Sequence, residues 1–243
     1  MIPKIIHYCW FGRGEKPKLA KKCIASWKKY CPDYEIIEWN EDNFDVNAFD
    51  YTRFTYERKL YAYLSDFVRL WAVEKHGGFY FDTDVELLCS LDTYLDKQAF
   101  FGFESAMFVN TGIGFGAEPN QEAVQKMLSR YQARTTDILS KQYATEGVLR
   151  GSPKMNTYAM TPYGLRQNGL YQTVCGAEFL PTDYMCPFND LTGELKLTDN
   201  TISIHWYMKS ANSKMAKLRS KISRPLHRIM NFLQRRKGVV NDT

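Results

Sequence analysis

Two aspartates separated by one residue, Asp82 and Asp84, are the strongest chemical feature of the sequence. They follow Phe79-Tyr80-Phe81, a short apolar run that predicts a buried strand. Two carboxylates placed just beyond a strand can bind Mg²⁺ or Mn²⁺ together with the oxygens of a diphosphate. A solvated acidic turn is the alternative, because a chain with 14 aspartates among 243 residues contains about one such D-x-D pattern by chance.

A helix predicted just before this strand must position the two carboxylates. Residues 60–76 carry apolar side chains at helical spacing, and Gly77 and Gly78 provide the left-handed conformation that ends a helix. Asp66 and Arg69 lie three residues apart on this helix, beside the apolar stripe, and are candidates for ligand binding. An ordinary surface ion pair is the alternative interpretation. The stripe consists of Leu60, Tyr63, Leu64, Phe67, Val68 and Trp71.

The rest of the pattern predicts an α/β fold with mixed strands. A strand at 3–10, a helix at 18–30 and a strand at 34–39 form a strand–helix–strand unit, which favours a parallel sheet. Further elements are predicted as strands at 100–103, 112–115 and 201–206, a helix at 121–131, a polar loop at 40–51 and a less regular stretch at about 135–200.

Composition excludes several classes of protein. With 44% hydrophobic and 24% charged residues, the chain can form a sizeable core and is not a disordered protein. No apolar run approaches the roughly 18 residues of a membrane span. The six cysteines have no CxxC spacing, which argues against a zinc cluster and favours reduced thiols. Because the N-terminus lacks the layout of a signal peptide, we expect a cytoplasmic protein.

The positive charge is concentrated at the C-terminal end. Residues 1–208 carry a net charge of −4, and residues 209–243 carry +9. A mildly acidic body argues against nucleic-acid binding. We therefore expect a catalytic domain at 1–208 and a basic amphipathic helical tail at 209–243. The tail suits contact with an anionic membrane surface, and a solvated helix packed on the body is the alternative.

The helix–glycine–aspartate block resembles the glycosyltransferases of family 32. The residues that carry the resemblance are 65–71 and 76–84, with weaker matches at 2–12 and 202–206. That family includes bacterial capsule and surface-polysaccharide enzymes, and the pattern is also similar to the catalytic domain of the large clostridial glucosylating toxins. The resemblance implies a GT-A fold, an αβα sandwich with a mixed central sheet. It also implies a nucleotide-sugar donor, Mn²⁺ or Mg²⁺, and retention at the anomeric carbon.

The resemblance also assigns metal-binding residues. Asp82 would contact the ribose and, through water, the metal, and Asp84 would bind the metal directly. His205 is the candidate for a late metal ligand, and a structural histidine is the alternative. In the family a Ser-Trp pair that touches the phosphates usually follows the last strand. This chain lacks that Trp, and Lys209 or Ser210 is the candidate substitute.

Donor-binding residues follow from the same resemblance. Trp10 would stack on the nucleobase, with a core position as the alternative. Asp66 and Arg69 would hold sugar hydroxyls, and Arg69 would also face the diphosphate. Tyr80 would line the donor pocket, and Asn110 would bind the transferred sugar.

Glu104, which follows a predicted strand, is the only candidate for a carboxylate near the anomeric carbon. Retention arises either through a covalent intermediate on such a group or through attack on the face from which the diphosphate leaves. We favour the second route, because no carboxylate stands out as an obligate nucleophile. His7 and His76 we assign to structure.

The expected activity is transfer of a hexose, from UDP-galactose or UDP-glucose in preference to GDP-mannose, to a growing surface glycan such as capsule, exopolysaccharide or lipopolysaccharide. The acceptor would be a glycan or a lipid-linked oligosaccharide. Two alternatives belong to other classes. One is a catalytically inactive glycan-binding or assembly protein on the same fold. The other is phosphoryl transfer of the haloacid-dehalogenase type, against which Glu86 counts, because that pattern has Thr or Val at this position.

Overall fold

The structure is a computed structural model that describes residues 1–208. The predicted strand–helix–strand unit forms the first part of its central mixed β-sheet. Strand β1 (Ile5–Cys9), helix α1 (Lys18–Tyr30) and strand β2 (Glu35–Trp39) follow in order. The two strands pair in parallel, with Ile5 opposite Glu35. This part of the sequence prediction is confirmed.

Two helices and a short strand then lead to the aspartate pair. Helix α2 (Asp50–Glu57) precedes helix α3 (Tyr61–His76), and strand β3 (Gly78–Tyr80) follows. Gly77 has a φ of +65°, and a Cβ there would lie 2.7 Å from Pro119 and 2.8 Å from Pro3. Only glycine therefore fits where the chain turns from α3 into β3. The predicted loop at 40–51 is wrong by two residues, because α2 begins at Asp50.

The second half of the described chain is more regular than its sequence suggests. Within the predicted irregular stretch lie two helices of eleven and nine residues. The predicted strand at 112–115 is wrong for its first three residues, which form a turn that brings Gly112 against Asp82. The elements are β4 (Val85–Leu87), β5 (Ala99–Ser105), β6 (Phe108–Val109), β7 (Phe115–Ala117), α4 (Glu122–Gln132), α5 (Thr136–Glu146), α6 (Ser152–Met160), β8 (Gln172–Val174), β9 (Ala177–Leu180), α7 (Thr182–Met185) and β10 (Ser203–His205).

The strand directions bring three predicted site residues to one edge of the sheet. The order is β2-β1-β3-β7-β5-β9-β8, with β6 paired to β5. Strands β1 and β3 are parallel, and β7 runs antiparallel to both β3 and β5. The carboxyl ends of β1, β3 and β5 therefore share an edge, where Trp10, Asp82 and Glu104 are found. A separate two-stranded sheet pairs β4 with β10, with His205 opposite Val85.

Helices cover both faces of the sheet, as the predicted αβα sandwich requires. On one face, Trp27 of α1 packs in a cluster with Phe79, Phe81 and Phe100. On the other face, helix α3 lies over a second cluster that includes Tyr80 and Phe101. Neighbouring residues of β3 and β5 thus point to opposite cores, because side chains alternate along a strand.

His7 has the structural role expected from its sequence position. Its Nδ1 accepts a hydrogen bond from the Trp39 indole at 3.1 Å, so Nε2 donates to the carbonyl of Gly77 at 2.8 Å. Burial lowers the pKa of His7 to about 4, so the ring is neutral. It ties β1 to β2 and to the turn before β3.

Three further sequence predictions concern the whole chain. The six cysteines are free thiols. Within residues 1–208, every helix is too short or too polar to cross a bilayer. The basic tail at 209–243, including Lys209 and Ser210, lies outside the described residues and stays a prediction.

Candidate active site

Asp82 is the most open carboxylate of the candidate site. It follows β3, and its side chain is 31% exposed. Oδ1 accepts hydrogen bonds from the Tyr80 hydroxyl at 2.8 Å and from Nη2 of Arg69 at 3.1 Å. Tyr80 itself is only 1% exposed, so it contributes to the site through its hydroxyl rather than its ring. The carboxylate is therefore fixed in orientation while its outer side remains accessible.

Asp66 and Arg69 form a buried ion pair beneath Asp82. Nη2 of Arg69 lies 3.0 Å from Oδ1 of Asp66, and the two side chains are only 4% and 11% exposed. The same guanidinium holds Asp82, so one cation serves two carboxylates. The alternative of an ordinary surface ion pair is wrong. Direct contacts of Asp66 and Arg69 with a donor remain predictions.

Two carboxyl groups share a single buried cation in this group of three. Burial raises the pKa of Asp66 to about 7, although the Arg69 guanidinium acts to lower it. Burial likewise raises the pKa of Asp82. The Arg69 charge acts to lower this pKa, and the Asp84 charge acts to raise it. Such a cluster favours a ligand that brings positive charge or hydrogen-bond donors, which metal ions and sugar hydroxyls do.

Three buried polar side chains that the sequence analysis did not identify lie beside Arg69, and we call them the polar floor: Thr111, Ser152 and Asn156. Asn156 of α6 donates from Nδ2 to Oγ1 of Thr111 at 2.9 Å and to Oγ of Ser152 at 3.1 Å. All three residues are at most 4% exposed. The backbone N–H of Ser152, at the start of α6, donates to the carboxylate of Asp66. The pair Ser152-Pro153 is a helix-start signal that would have indicated α6, though not its partners.

The structure brings Asn110 next to Asp82. Its Oδ1 accepts a hydrogen bond from the backbone N–H of Gly112 at 2.8 Å. A Cβ on Gly112 would overlap Oδ2 of Asp82 and lie 2.9 Å from Nη1 of Arg69. The turn at 110–112 therefore packs directly on the Asp82–Arg69 pair, and glycine is needed for this close approach. The predicted contact of Asn110 with a sugar stays a prediction.

Asp84 is paired with His205 on the second, smaller sheet. Nε2 of the imidazole lies 3.3 Å from Oδ1, and Oδ2 accepts a hydrogen bond from the backbone N–H of Met208 at 2.6 Å. Burial acts to lower the pKa of His205, and the Asp84 charge outweighs it and raises the pKa to about 10. Burial acts to raise the pKa of Asp84, and the imidazolium holds it below its usual value. The pair is therefore charged at neutral pH.

The chemistry of these side chains fits a divalent metal. Asp82, Asp84 and His205 offer two carboxylates and one imidazole, a donor set suited to Mn²⁺. Nδ1 of His205 is buried and has no hydrogen-bond partner among residues 1–208. The imidazolium would have to release a proton before His205 could bind the ion, and the charge of the ion would favour that release. No group of three such side chains is close enough to enclose an ion in the described part of the chain. Water and diphosphate oxygens would therefore have to complete the coordination.

Two residues missed by the sequence interpretation connect Glu104 to this pair. Glu104 forms a hydrogen bond with the hydroxyl of Tyr207, and that hydroxyl lies 2.9 Å from Sγ of Cys186. The Tyr207 ring lies 4.1 Å from that of His205, and its φ of +50° is unusual for tyrosine. Glu104 therefore reaches the His205 side of the site through Tyr207. Its predicted place at the anomeric carbon remains untested.

Trp10 lies at the same edge and is half-buried. Its backbone N–H donates to the carbonyl of Trp39 at 2.9 Å, and its indole N–H donates to the carbonyl of Gly14 at 2.6 Å. The ring packs partly against the core around Trp27, and Nζ of Lys16 lies 5.6 Å from it. Trp10 is thus partly buried against the core, and part of its ring remains exposed. Stacking on a nucleobase stays a prediction.

Comparison with known proteins finds similarity in the first half of the chain. Residues 17–101 match the family described as "Glycosyltransferase sugar-binding region containing DXD motif". The chain is 32% identical over 105 residues to inositol phosphoceramide mannosyltransferase 3 of Schizosaccharomyces pombe. That alignment covers 40% of this chain and 28% of the relative, so most of the relative has no counterpart in the match.

A solved structure supports the fold. The protein described as PaToxG Glycosyltransferase superposes with a TM-score of 0.51 and 18% identity, over 66% of this chain and 69% of that chain. The chain therefore has a GT-A-like fold with a mixed central sheet, as predicted. This similarity favours the GT-A fold over the haloacid-dehalogenase alternative. The predicted bacterial type and the predicted similarity to clostridial toxins stay predictions.

Proposed function

We propose that the chain is a metal-dependent, retaining hexosyltransferase, because residues 17–101 match the family described as a glycosyltransferase sugar-binding region containing a DXD motif. It would take a nucleotide sugar as donor and a glycan or lipid-linked oligosaccharide as acceptor, in the assembly of a surface glycan. One observation carries the proposal. Arg69 and Tyr80 orient Asp82 at the sheet edge, beside the charged pair of Asp84 and His205.

The chain's own residues would divide the work of binding. Asp82, the most open carboxylate, suits the ribose hydroxyls, which donate hydrogen bonds. The buried pair of Asp66 and Arg69 suits the transferred sugar, because a group held by several partners orients a ligand with little loss of entropy. A divalent cation held by Asp82, Asp84 and His205 would neutralise the diphosphate and ease its departure.

The proposed reaction is a substitution at the anomeric carbon. The bond from that carbon to the acceptor oxygen forms on the face from which the diphosphate leaves, as the bond to the diphosphate oxygen breaks. The acceptor proton passes to the departing diphosphate. This route needs no protein nucleophile. A covalent intermediate on Glu104 is the other retaining route.

The identity of the donor nucleotide is the most specific part of the proposal. We place UDP-galactose and UDP-glucose first, on the predicted stacking of Trp10. The S. pombe relative is named a mannosyltransferase, which makes GDP-mannose the second donor to test.

Calorimetric titration with UDP and GDP, each with and without Mn²⁺, tests the proposal. We expect nucleotide binding that depends on Mn²⁺ in the natural sequence and is lost in Asp84→Asn. The control is Asp96→Asn, because Asp96 is an exposed aspartate away from the site and its loss should change nothing. If neither nucleotide binds, or if Asp84→Asn binds as well as the natural sequence, the proposal is wrong.

One observation favours an inactive glycan-binding protein as the second candidate. Both oxygens of Asp84 already have partners, His205 and the backbone N–H of Met208. In such a protein this internal pair would replace the metal permanently. Absence of nucleotide binding in the titration would select this candidate.

The location of the protein rests on sequence alone. We propose a cytoplasmic protein that contacts the inner face of the plasma membrane through residues 209–243, on the strength of their net charge of +9. No nucleic-acid partner is proposed.

A further inference from the structure

A group of exposed apolar side chains lies beside the candidate active site. Met107, Tyr158, Leu170 and Tyr171 are 50%, 40%, 63% and 56% exposed. The ring of Phe108, next to Met107 in the chain, lies 6.4 Å from that of Tyr158. We call these five residues the apolar ledge. Exposed apolar side chains gathered in neighbouring segments mark an interaction site more often than scattered single residues do.

Hydrogen bonds order the segments of the chain that carry the ledge. The side-chain amide of Gln167 donates to the carbonyl of Met107 at 2.9 Å, which joins the loop at 164–171 to the tip of the β5–β6 hairpin. Gln172 closes this loop, because its amide accepts from the N–H of Arg166 at 2.8 Å and donates to the carbonyl of Arg166 at 2.9 Å. These hydrogen bonds order the loop that carries Leu170 and Tyr171.

Two paths along the chain place the ledge close to Asp82. Met107 is three residues from Asn110, which bounds the site, and three residues span at most about 10 Å. Helix α6 begins at Ser152 on the polar floor and reaches Tyr158 six residues later, about 9 Å along its axis. The hairpin also leaves the sheet at the edge where Asp82 lies, because β5 and β3 run in the same direction.

The segments that carry the ledge contain no acidic residue, and Glu104 is the nearest carboxylate along the chain. Residues 147–177 contain no Asp or Glu, and residues 105–117 contain no charged residue at all. Lys154 lies one helical turn before Tyr158 on the same face of α6, and Arg166 lies in the loop that carries Leu170. Both cations are exposed, and neither forms an ion pair with the rest of the described chain.

We propose that the apolar ledge binds the lipid part of an anionic, lipid-linked acceptor, with its phosphate on Lys154 and Arg166. This inference rests on the proposed transferase function, whose acceptor it narrows to a phosphate-bearing lipid. An uncharged glycan would use the hydroxyls of Tyr158 and Tyr171 but would leave Lys154 and Arg166 without an anionic partner. Anionic charge complements the two cations, and an acyl or prenyl chain complements the ledge.

The test uses the full chain and a lipid that stays monomeric in water. Dihexanoyl phosphatidic acid is titrated calorimetrically below its critical micelle concentration, with dihexanoyl phosphatidylcholine as the zwitterionic comparison. In the double variant Leu170→Ser/Tyr171→Ser we expect affinity for phosphatidic acid to fall by about tenfold or more. The matched control is Leu191→Ser/Leu197→Ser, which removes two leucines that are 70% and 55% exposed elsewhere. That control should bind within about twofold of the natural sequence.

A second pair of substitutions tests the cations. In Lys154→Gln/Arg166→Gln the preference for phosphatidic acid over phosphatidylcholine should disappear. Because every variant keeps the basic tail, binding of lipid by residues 209–243 contributes equally to all and cancels in the comparison.

The outcomes separate this inference from the proposed function. UDP and GDP are titrated with Mn²⁺ on the same samples. Normal nucleotide binding together with unchanged lipid affinity in the Leu170/Tyr171 variant overturns the ledge and leaves the transferase proposal standing. Absence of nucleotide binding in the natural sequence overturns the transferase proposal itself. Binding of the uncharged sugar maltotetraose, weakened in the ledge variant and without lipid binding, would reassign the surface to a glycan.

Discussion

Replacing Asp66 with asparagine should change how the stability of the protein depends on pH. As the pH rises from 5 to 8, the unfolding free energy of Asp66→Asn should increase relative to that of the natural sequence. Asp66 is a carboxyl group with only 11% of its side chain exposed, and its pKa is raised to about 7 in the folded protein. In the unfolded chain it returns to the ordinary value of about 4. Asparagine has nearly the same shape, accepts a hydrogen bond from Arg69 and does not ionise.

The sign and the size follow from this difference in pKa. Between the two values the folded protein keeps a proton that the unfolded chain has released, so rising pH favours unfolding. The loss begins near pH 4 and is complete just above pH 7. A difference of about three pK units corresponds to about 4 kcal/mol of unfolding free energy, and most of it develops between pH 5 and pH 8.

Urea unfolding followed by tryptophan fluorescence at several pH values measures the effect. The difference in unfolding free energy between Asp66→Asn and the natural sequence should grow with pH in favour of the variant. Asp96→Asn, which removes an exposed carboxylate, should run parallel to the natural sequence. If the Asp66→Asn profile is also parallel, the carboxyl is already ionised at pH 5, and the account of its burial against Arg69 fails.

Two substitutions test the geometry around Asp82 and the retaining route. Gly112→Ala should lower transfer about 100-fold with little change in Tm, because the new Cβ must push the Asp82 carboxylate about 1 Å from its position; turnover within threefold of the natural rate would contradict the packing described. Glu104→Gln should keep transfer within about tenfold, because same-face attack needs no nucleophile, whereas a thousandfold loss with rescue by azide would favour a covalent intermediate.

Local patterns in the sequence were sufficient to predict the helices and the strand that position Asp82 and Asp84. Helix α1 has the predicted bounds, and α3 starts one residue after its predicted start. Apolar spacing fixes these helices, and the two glycines fix the turn into β3. The predicted strand at 112–115 failed because its small and apolar residues satisfy a strand pattern, whereas close packing against Asp82 imposes a turn on 112–114.

The burial of Asp66 and Arg69 could not be predicted from the sequence, because it depends on residues that are distant along the chain. A charged pair on a helix is normally exposed, and what encloses Arg69 is helix α6, whose Ser152 lies 83 residues away. Amphipathic spacing is weak in α6, since Ser152, Asn156 and Thr157 are buried polar residues. The contribution of Tyr207 and Cys186 was hidden for the same reason: only the folded chain brings Glu104 and His205 near each other.

The pairing of β4 with β10 makes completion of the site a late event in the life of the chain. Asp84 and Met208, which share a hydrogen bond, are separated by 124 residues. A ribosome adds that many residues in about 6–25 s, so the aspartate emerges long before its imidazole partner. A ribosome that stalls before residue 203 releases a chain without β10 and without the pair of Asp84 and His205. Translation products that end before His205 therefore never assemble the full set of charged groups.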